Sequence, residues 1–269
     1  MGQLDSRLLI FGGVYSNLQA LQQLQIIAEE LNIAPDHIIC TGDVVGYCAQ
    51  PEECVQTIID WDIHCIAGNV EIQLREGEED CGCNFDEDGR CNLFSRQWYP
   101  YAQKQLSTTS IEWMKTLPDF LHFQYDDHKV FVLHGSFRET SEFIFASTPW
   151  QIKQDNFIDT QSNVILAGHC GLPFGQIKEE RYWLNAGVIG MPANDGNTSV
   201  WYMLIEPASN GTLVYEHCSF DYDHSTTANL MRQNNLTLAY AHTLETGIWD
   251  NCEILPDKET ALQGKKIVF

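Results

Sequence analysis

The order of apolar and amphipathic stretches in the first part of the chain constrains the fold more than any other sequence feature. Residues 7–11, 37–40 and 63–67 are short apolar runs, each followed by a turn that contains glycine, and they are predicted strands. Between them, apolar residues recur at intervals of three and four from Leu18 to Leu31, and a second helix is predicted to begin at Pro51. The resulting β-α-β-α-β order predicts an α/β fold with a parallel sheet.

The rest of the chain is richer in predicted strands. Residues 95–115 have helical periodicity, and residues 120–125 and 129–133 read as a hairpin. Further strands are predicted at 163–167, 181–185, 199–206 and 212–219, with turns at Asp195-Gly196 and Asn210-Gly211. We predict one domain over residues 1–222 with a cysteine-containing insertion at about 76–92. Residues 223–269 are predicted to form a helical and then irregular tail packed on the same domain.

Composition and charge exclude several classes of function. The formal net charge of −22, with only 15 basic residues, opposes binding to a nucleic-acid backbone. No apolar run is long enough to span a membrane, and no secretory signal is readable. Ten cysteines without such a signal indicate reduced thiols. We therefore expect a cytoplasmic protein with no nucleic-acid or membrane partner, which acts on a small molecule.

Four turns that follow predicted strands each carry a side chain able to bind a metal ion. These side chains are Asp43, Asn69, His134 and His169. Each alone has an ordinary explanation, since asparagine often caps a turn and a single histidine is often a hydrogen-bonded core residue. Because ligands of open α/β sheets bind where strand ends converge, the four together predict one site.

At these positions the sequence resembles the calcineurin-like metallophosphoesterase family. The resemblance covers about the first 200 residues and rests on motifs in the family's order. The motifs are Gly42-Asp43, Gly68-Asn69, His134-Gly135-Ser136, Gly168-His169 and Asn185-Ala186-Gly187. The resemblance implies a four-layer α-β-β-α sandwich with two mixed β-sheets. It also implies a phosphoester-hydrolysing site with two metal ions, usually manganese, iron or zinc.

Three departures from the family pattern remove ligands of one of the two implied metal sites, and a fourth, at Val70, removes a histidine that helps to stabilise the leaving oxygen in the family. The family's opening Asp-x-His-Gly-Asn is replaced by residues 13–17, with Tyr15 in the place of the histidine. Val70 replaces the histidine after Gly68-Asn69, and Gly171 replaces the final histidine after His169. The ligands that the resemblance assigns to the other ion, Asp43, Asn69, His134 and His169, are all present. The sequence thus predicts one divalent or trivalent ion of manganese, iron or zinc.

Two side chains could replace lost ligands of the second metal site. A phenolate at Tyr15 is a good ligand for ferric iron, and Cys170 could supply a thiolate beside the lost histidine. Alternatively, Tyr15 fills the volume and Cys170 is a buried thiol.

The predicted function is metal-dependent hydrolysis of a phosphate monoester or diester on a small cytosolic substrate. Asp43 is the first catalytic candidate, and Asn17, Tyr15 and Arg138 are candidates to stabilise developing charge. One alternative is a catalytically inactive metal- or ligand-binding protein with the same fold. Another is a thiol or zinc module at Cys81, Cys83 and Cys91, which lack an obvious fourth ligand. The sequence leaves the substrate and the oligomeric state open.

Overall fold

The computed structural model of the protein describes residues 2–83, 89–207 and 212–269. The predicted turn at Asn210-Gly211 and the middle of the predicted insertion, residues 84–88, lie outside the described residues.

Strands and helices alternate through the first half of the described chain, as the sequence predicts. The strands are β1 (Gln3–Leu4), β2 (Leu8–Phe11), β3 (Ile38–Cys40), β4 (His64–Cys65), β5 (Leu121–Tyr125), β6 (His128–Val132), β7 (Val164–Ala167), β8 (Pro173–Lys178), β9 (Arg181–Ala186), β10 (Val200–Glu206) and β11 (Val214–Phe220). The helices are α1 (Leu18–Glu30), α2 (Pro51–Trp61), α3 (Asn69–Glu76), α4 (Arg90–Gln105), α5 (Thr108–Thr116), α6 (Trp150–Thr160), α7 (His224–Gln233), α8 (Leu238–Thr246) and α9 (Asp257–Thr260). A short 3₁₀ turn at Pro35–His37 precedes β3.

The strands form two mixed sheets. A five-stranded sheet has the order β11-β10-β2-β3-β4, in which β2, β3 and β4 are parallel and β10 is antiparallel to both of its neighbours. A six-stranded sheet has the order β1-β5-β6-β7-β9-β8, with β7 parallel to both β6 and β9. The parallel strands of each sheet bring their carboxyl ends to one edge.

Three hydrophobic clusters separate four layers of secondary structure. In β2, Leu9 and Phe11 belong to the cluster shared with α1 and α2, while Leu8 and Ile10 face the other sheet. Phe157 of α6 belongs to the third cluster, on the outer face of the six-stranded sheet. Because β2 is covered on both faces, its sequence is continuously apolar rather than alternating. The predicted α-β-β-α sandwich with two mixed sheets is therefore confirmed.

Several details differ from the sequence-based expectation. The single helical stretch predicted at 95–115 is wrong, because the structure has two helices separated at Leu106 and Ser107. Both residues have extended backbone, and the Ser107 hydroxyl accepts a hydrogen bond from the Ser110 N–H, which caps α5. Gly68-Asn69 was predicted as a turn, and the structure begins α3 at Asn69. The sequence interpretation missed α6 and β8.

The C-terminal residues pack on the same sandwich. Helix α7 contacts α1, and the Thr227 hydroxyl donates a hydrogen bond to Asn17 Oδ1. Further along, the Trp249 N–H and indole Nε1–H donate to Asn194 Oδ1 and to the Pro192 carbonyl. A domain boundary at residues 222 and 223 stays a prediction. Within the part of the chain that the structure describes, no helix is both long enough and apolar enough to cross a membrane.

Candidate metal centre

The four predicted metal-binding side chains come from both sheets. Asp43 follows β3 and Asn69 follows β4 in the five-stranded sheet, whereas His134 follows β6 and His169 follows β7 in the six-stranded sheet. All four residues are buried, with exposed fractions between 2% and 6%. The sandwich thus places side chains that are far apart in sequence at one protected edge.

Their ligand atoms converge on one small volume. His134 Nε2 lies 3.2 Å from Asp43 Oδ2, 3.1 Å from Asn69 Oδ1 and 3.1 Å from His169 Nδ1. Among the described residues, the trio Asp43, His134 and His169 is the one group of acidic, histidine or cysteine side chains whose ligand atoms all lie within 4.8 Å of one another. Ligands bound to Zn²⁺ at 2.0–2.1 Å in a tetrahedron lie about 3.3 Å apart. The spacing therefore fits a transition-metal ion.

Hydrogen bonds outside the cluster direct lone pairs into it. His134 Nδ1 lies 2.6 Å from the Thr41 carbonyl oxygen, which requires a proton on Nδ1 and leaves Nε2 facing the cluster. The Asn69 Nδ2 amide donates to the Cys81 carbonyl at 2.8 Å, so Oδ1 points to His134. Three acceptor atoms, from Asp43, Asn69 and His134, then face one another, and a cation among them would satisfy all three. These residues fit a metal cation.

The protonation states of the cluster follow from burial and from close opposite charge. Burial alone would raise the pKa of Asp43, but the facing His134 and His169 lower it below its usual value. Burial alone would lower the pKa of His134, but the Asp43 carboxylate raises it. Burial, and next His134, lower the pKa of His169 to about 3. Because metal ligands bind in their deprotonated forms, a metal cation in the cluster would compete with protons for these side chains.

Two glycines allow the turns to approach closely enough to form the cluster. Gly42 has a φ of 93°, and a Cβ added there would lie 2.5 Å from the Gly68 nitrogen. A Cβ on Gly68 would lie 2.2 Å from Asp43 Oδ1. Asp43 itself has a φ of 57°, in the left-handed region where aspartate is tolerated better than most residues. Both glycine positions are therefore required by the packing of these turns.

Glu71 is a positioning residue that the sequence interpretation missed. It is fully buried, and its carboxylate accepts hydrogen bonds from the backbone N–H groups of Asp43 at 2.8 Å, Gly68 at 2.9 Å and Val45 at 3.1 Å. Burial, and next the Asp43 charge, raise the pKa of Glu71 to about 7. Its place three residues after the Gly68 N-cap of α3 is half of a capping box, and that spacing could have identified it.

Tyr15 lies beside the cluster in a space bounded by glycines. The residue is 6% exposed, and its ring packs edge-on against the ring of Tyr47, with the ring centroids 5.3 Å apart. A Cβ on Gly13 would lie 2.5 Å from Tyr15 Cζ, and a Cβ on Gly190 would lie 2.5 Å from Tyr15 Cβ. Burial, and next Asp43, raise the pKa of Tyr15 well above its usual value. A neutral phenol that fills volume accounts for these contacts.

We expect Tyr15→Phe to leave the metal content unchanged and to alter metal affinity by less than about threefold, because a neutral phenol contributes packing rather than a ligand charge. The measurement is metal analysis of both proteins after loading with Fe³⁺ or Mn²⁺, together with the visible absorption spectrum. A tyrosinate-to-iron absorption band that disappears in Tyr15→Phe would instead make Tyr15 a ligand. Tyr101→Phe, which removes a phenol outside the cleft, is the matched control.

Cys170 is engaged in packing and weak hydrogen bonds. Its Sγ lies 3.6 Å from the Leu172 carbonyl and accepts a hydrogen bond from Asn185 Nδ2 at 3.3 Å. Burial raises the pKa of Cys170 to about 12, so the group is a thiol at neutral pH. Its sulfur is not part of the group of converging ligand atoms found among the described residues.

The two other catalytic candidates have partners away from the cluster. Asn17 caps α1 through its Oδ1, and its Nδ2 donates to the Tyr222 hydroxyl at 3.0 Å. The Arg138 side chain is 69% exposed and pairs with Asp159 at 2.7 Å. The structure therefore does not bring Asn17 or Arg138 into contact with the metal-binding side chains, and a role in charge stabilisation stays a prediction for both.

The predicted thiol trio is divided between two sites. Cys81 and Cys83 lie next to Asn69, whereas Cys91 Sγ lies 3.6 Å from Asn251 Oδ1. The three sulfurs do not form a converging group within the described part of the chain, which does not favour a zinc module.

A narrow cleft leads to the cluster. Its volume is about 40 Å³, which is room for a few water molecules. Its lining includes Asp43 and His169 together with Tyr15, Cys83 and, from the C-terminal residues, Trp249. Aromatic and aliphatic side chains thus enclose a polar cluster.

Comparison with known proteins identifies the family. Residues 10–208 match the model of the calcineurin-like phosphoesterase superfamily domain. The chain belongs to this superfamily. A relative, the uncharacterized protein MJ0912 of Methanocaldococcus jannaschii, is 23% identical over 219 residues, which are 75% of this chain and 83% of that protein.

Solved structures of similar proteins share the superfamily fold. A metallophosphoesterase from Sphaerobacter thermophilus superposes with a TM-score of 0.68 at 23% identity, over 91% of this chain and 100% of that one. The hypothetical protein PH1004 from Pyrococcus horikoshii superposes with a TM-score of 0.74 at 16% identity, over 93% of this chain and 100% of that one. At these identities the similarity concerns the fold. The chain is thus a calcineurin-like phosphoesterase superfamily member with a candidate metal site of Asp43, His134 and His169.

Proposed function

We propose that the protein hydrolyses a phosphate monoester or diester with one divalent or trivalent ion of manganese, iron or zinc. The observation that carries this proposal is the convergence of Asp43, Asn69 and His169 on His134 Nε2 at 3.1 to 3.2 Å. Two imidazoles, one carboxylate and one amide oxygen form a donor set suited to these metals. Asp43 is then a terminal ligand, because the residues that would complete a second site are replaced.

When bound, the ion would polarise a phosphoryl oxygen and lower the pKa of a water molecule, which supplies a nucleophile near neutral pH. Three of the four residues are held in place by hydrogen bonds outside the cluster: His134 by Thr41, Asn69 by Cys81, and the Asp43 backbone by Glu71. Burial of the cluster keeps bulk water away and strengthens its electrostatic interactions. The overall charge of −22 disfavours large polyanions, so we propose a small phosphorylated molecule as the substrate.

We also propose that the protein acts in the cytosol and that it binds neither nucleic acid nor a membrane. The sequence has ten cysteines and no readable secretory signal, which supports a reducing compartment. The scarcity of basic residues, 15 in the chain, argues against contact with nucleic acid or anionic lipid.

Hydrolysis of a generic diester tests the proposal directly. We expect the purified protein to hydrolyse bis(4-nitrophenyl) phosphate when loaded with Mn²⁺ and to lose this activity on chelation. Asp43→Asn should reduce activity at least about 100-fold, because it removes a charged ligand. Asp62→Asn is the matched control, since Asp62 has the same φ of 57° but is exposed. Equal activities of the two variants would contradict the proposed site.

A second candidate function is binding of metal or ligand without catalysis. It is favoured by the narrow cleft, about 40 Å³, and by Tyr15 beside the cluster in the place of a lost metal ligand. A single ion also lacks the second positive charge that stabilises the opposite oxygen in two-metal enzymes. Binding of one Mn²⁺ per chain by a folded protein that hydrolyses neither monoesters nor diesters would favour this function.

A further inference from the structure

Two cysteines that are adjacent in space contact the amide of a proposed metal ligand. Asn69 Nδ2 donates to the Cys81 carbonyl at 2.8 Å and to Cys83 Sγ at 3.1 Å. The opposite atom of the same amide, Oδ1, lies 3.1 Å from His134 Nε2. The orientation of Asn69 in the cluster therefore depends on the Cys81-Gly82-Cys83 segment.

The two cysteines are separated by one residue in a tight turn. Gly82 between them has a φ of 67°, in the left-handed region, and the Cys81 carbonyl and the Cys83 sulfur accept from the same Asn69 amide nitrogen. Cys81 is buried, whereas Cys83 is partly exposed and lines the cleft. A small oxidant in the cleft can thus reach Cys83, and Cys81, two residues earlier in the same turn, is the nearest cysteine along the chain.

We propose that Cys81 and Cys83 form an oxidation-sensitive pair that controls metal binding through Asn69. The inference rests on the proposed metal site. A peroxide oxidises the Cys83 thiol to a sulfenic acid and is itself reduced, with release of water or an alcohol. The Cys81 sulfur then attacks the Cys83 sulfur, which forms the disulfide and releases the sulfenic oxygen as water. A dithiol reductant restores both thiols by exchange.

Formation of the disulfide changes both acceptors of the Asn69 amide. Cys83 Sγ would become bonded to Cys81 Sγ, and the ring that closes would include the backbone that carries the Cys81 carbonyl, so both acceptors would be altered. Loss of groups that orient a metal ligand costs about 10- to 100-fold in metal affinity in other metalloproteins. Oxidation should therefore weaken metal binding without removing any ligand.

Mn²⁺ titration of the reduced and the oxidised protein tests the inference. Mn²⁺ is the chosen probe because it prefers oxygen ligands to thiolates and is therefore not expected to bind at the two cysteines themselves. The metal-free protein is treated with hydrogen peroxide, which is then removed, and Mn²⁺ binding is followed by electron paramagnetic resonance. We expect an affinity about 10- to 100-fold lower than that of the reduced protein, restored by dithiothreitol.

Peptide mapping locates the disulfide independently of metal binding. Trypsin releases residues 76–90 as one peptide, because Arg75 and Arg90 flank a segment without other basic residues. This peptide contains Cys81 and Cys83 and no other cysteine. The expected product is this peptide with two hydrogens fewer and no added oxygen.

Matched variants separate oxidation from loss of a contact. Cys83→Ser keeps an acceptor for Asn69 but cannot form the disulfide, so peroxide should not lower its Mn²⁺ affinity below the value measured before treatment. Cys81→Ala also cannot form the disulfide, and its Cys83 should gain oxygen instead of losing hydrogen in the peptide map. Cys218→Ser removes a partly exposed thiol on β11 and should retain the full response.

Three results would overturn the inference. One is the absence of a disulfide in the peptide, and another is a disulfide with unchanged Mn²⁺ affinity. The third is equal peroxide sensitivity in Cys83→Ser. If the reduced protein binds no Mn²⁺ at all, the proposed metal site fails first, and control of that site fails with it.

Discussion

His134→Ala is expected to lower Mn²⁺ affinity by more than about 100-fold, because loss of residues that only orient a ligand already costs 10- to 100-fold. His134 is the centre of the cluster, and its Nε2 lies within 3.2 Å of an atom from each of the three other side chains. Its removal leaves Asp43 without its opposite charge in a buried site. Isothermal titration with Mn²⁺ measures the effect, and phosphodiester hydrolysis should fall in parallel.

The matched control for this substitution is His122→Ala. His122 lies in β5 with an exposed side chain, outside the cluster. Circular dichroism establishes that both variants are folded. For the unchanged protein, Mn²⁺ at 100 times its dissociation constant should stabilise the fold by about 2.7 kcal/mol, and His134→Ala should abolish that gain. Retention of the full thermal shift in His134→Ala would place the ion elsewhere.

Glu71→Ala is expected to destabilise the protein by about 3 to 5 kcal/mol and to weaken Mn²⁺ binding. The substitution leaves three buried N–H groups without their acceptor, each costing about 1 to 3 kcal/mol before relaxation, and adds a cavity. Those N–H groups belong to the turns that carry Asp43 and Asn69. Urea unfolding measures the stability, and Mn²⁺ titration measures the effect on the site.

Glu71→Gln is a sharper test of the same contacts. Oε2 accepts from Asp43 and Gly68, while Oε1 accepts from Val45, so an amide must turn its NH₂ toward at least one N–H donor. We expect a loss of about 1 to 3 kcal/mol. Glu76→Gln, at the exposed end of the same helix, should change stability by less than about 0.5 kcal/mol. Similar stabilities of the two glutamine variants would refute the positioning role of Glu71.

The arrangement of strands and the convergence of side chains could be predicted from the sequence. Short apolar runs that end in glycine-bearing turns require buried strands, and parallel strands bring their carboxyl ends to one edge. That reasoning places Asp43, Asn69, His134 and His169 together before any coordinates. The family resemblance supplied the four-layer architecture, which the three hydrophobic clusters confirm.

The order of strands does not predict contacts that depend on the direction of a side chain. Arg138 is near His134 in sequence, but the chain leaves the sheet at this turn, and the guanidinium reaches Asp159 of α6. Since α6 itself was missed, no partner for Arg138 was visible in the sequence. Asn17 lies at the start of α1, where its polar atoms could face a ligand. Its Nδ2 instead donates to the Tyr222 hydroxyl, and its Oδ1 accepts from the Thr227 hydroxyl, and both partners are distant in sequence. Long-range packing decides such cases.

The enclosure of the cleft has a consequence for the rate at which an ion enters and leaves. Trp249 from the C-terminal residues and Cys83 from the other side border a volume of about 40 Å³ next to Asp43 and His169. An ion held by four buried donors, with room for only a few waters beside it, should exchange slowly with solution. The metal found in purified protein would then record which ion was present when the chain folded.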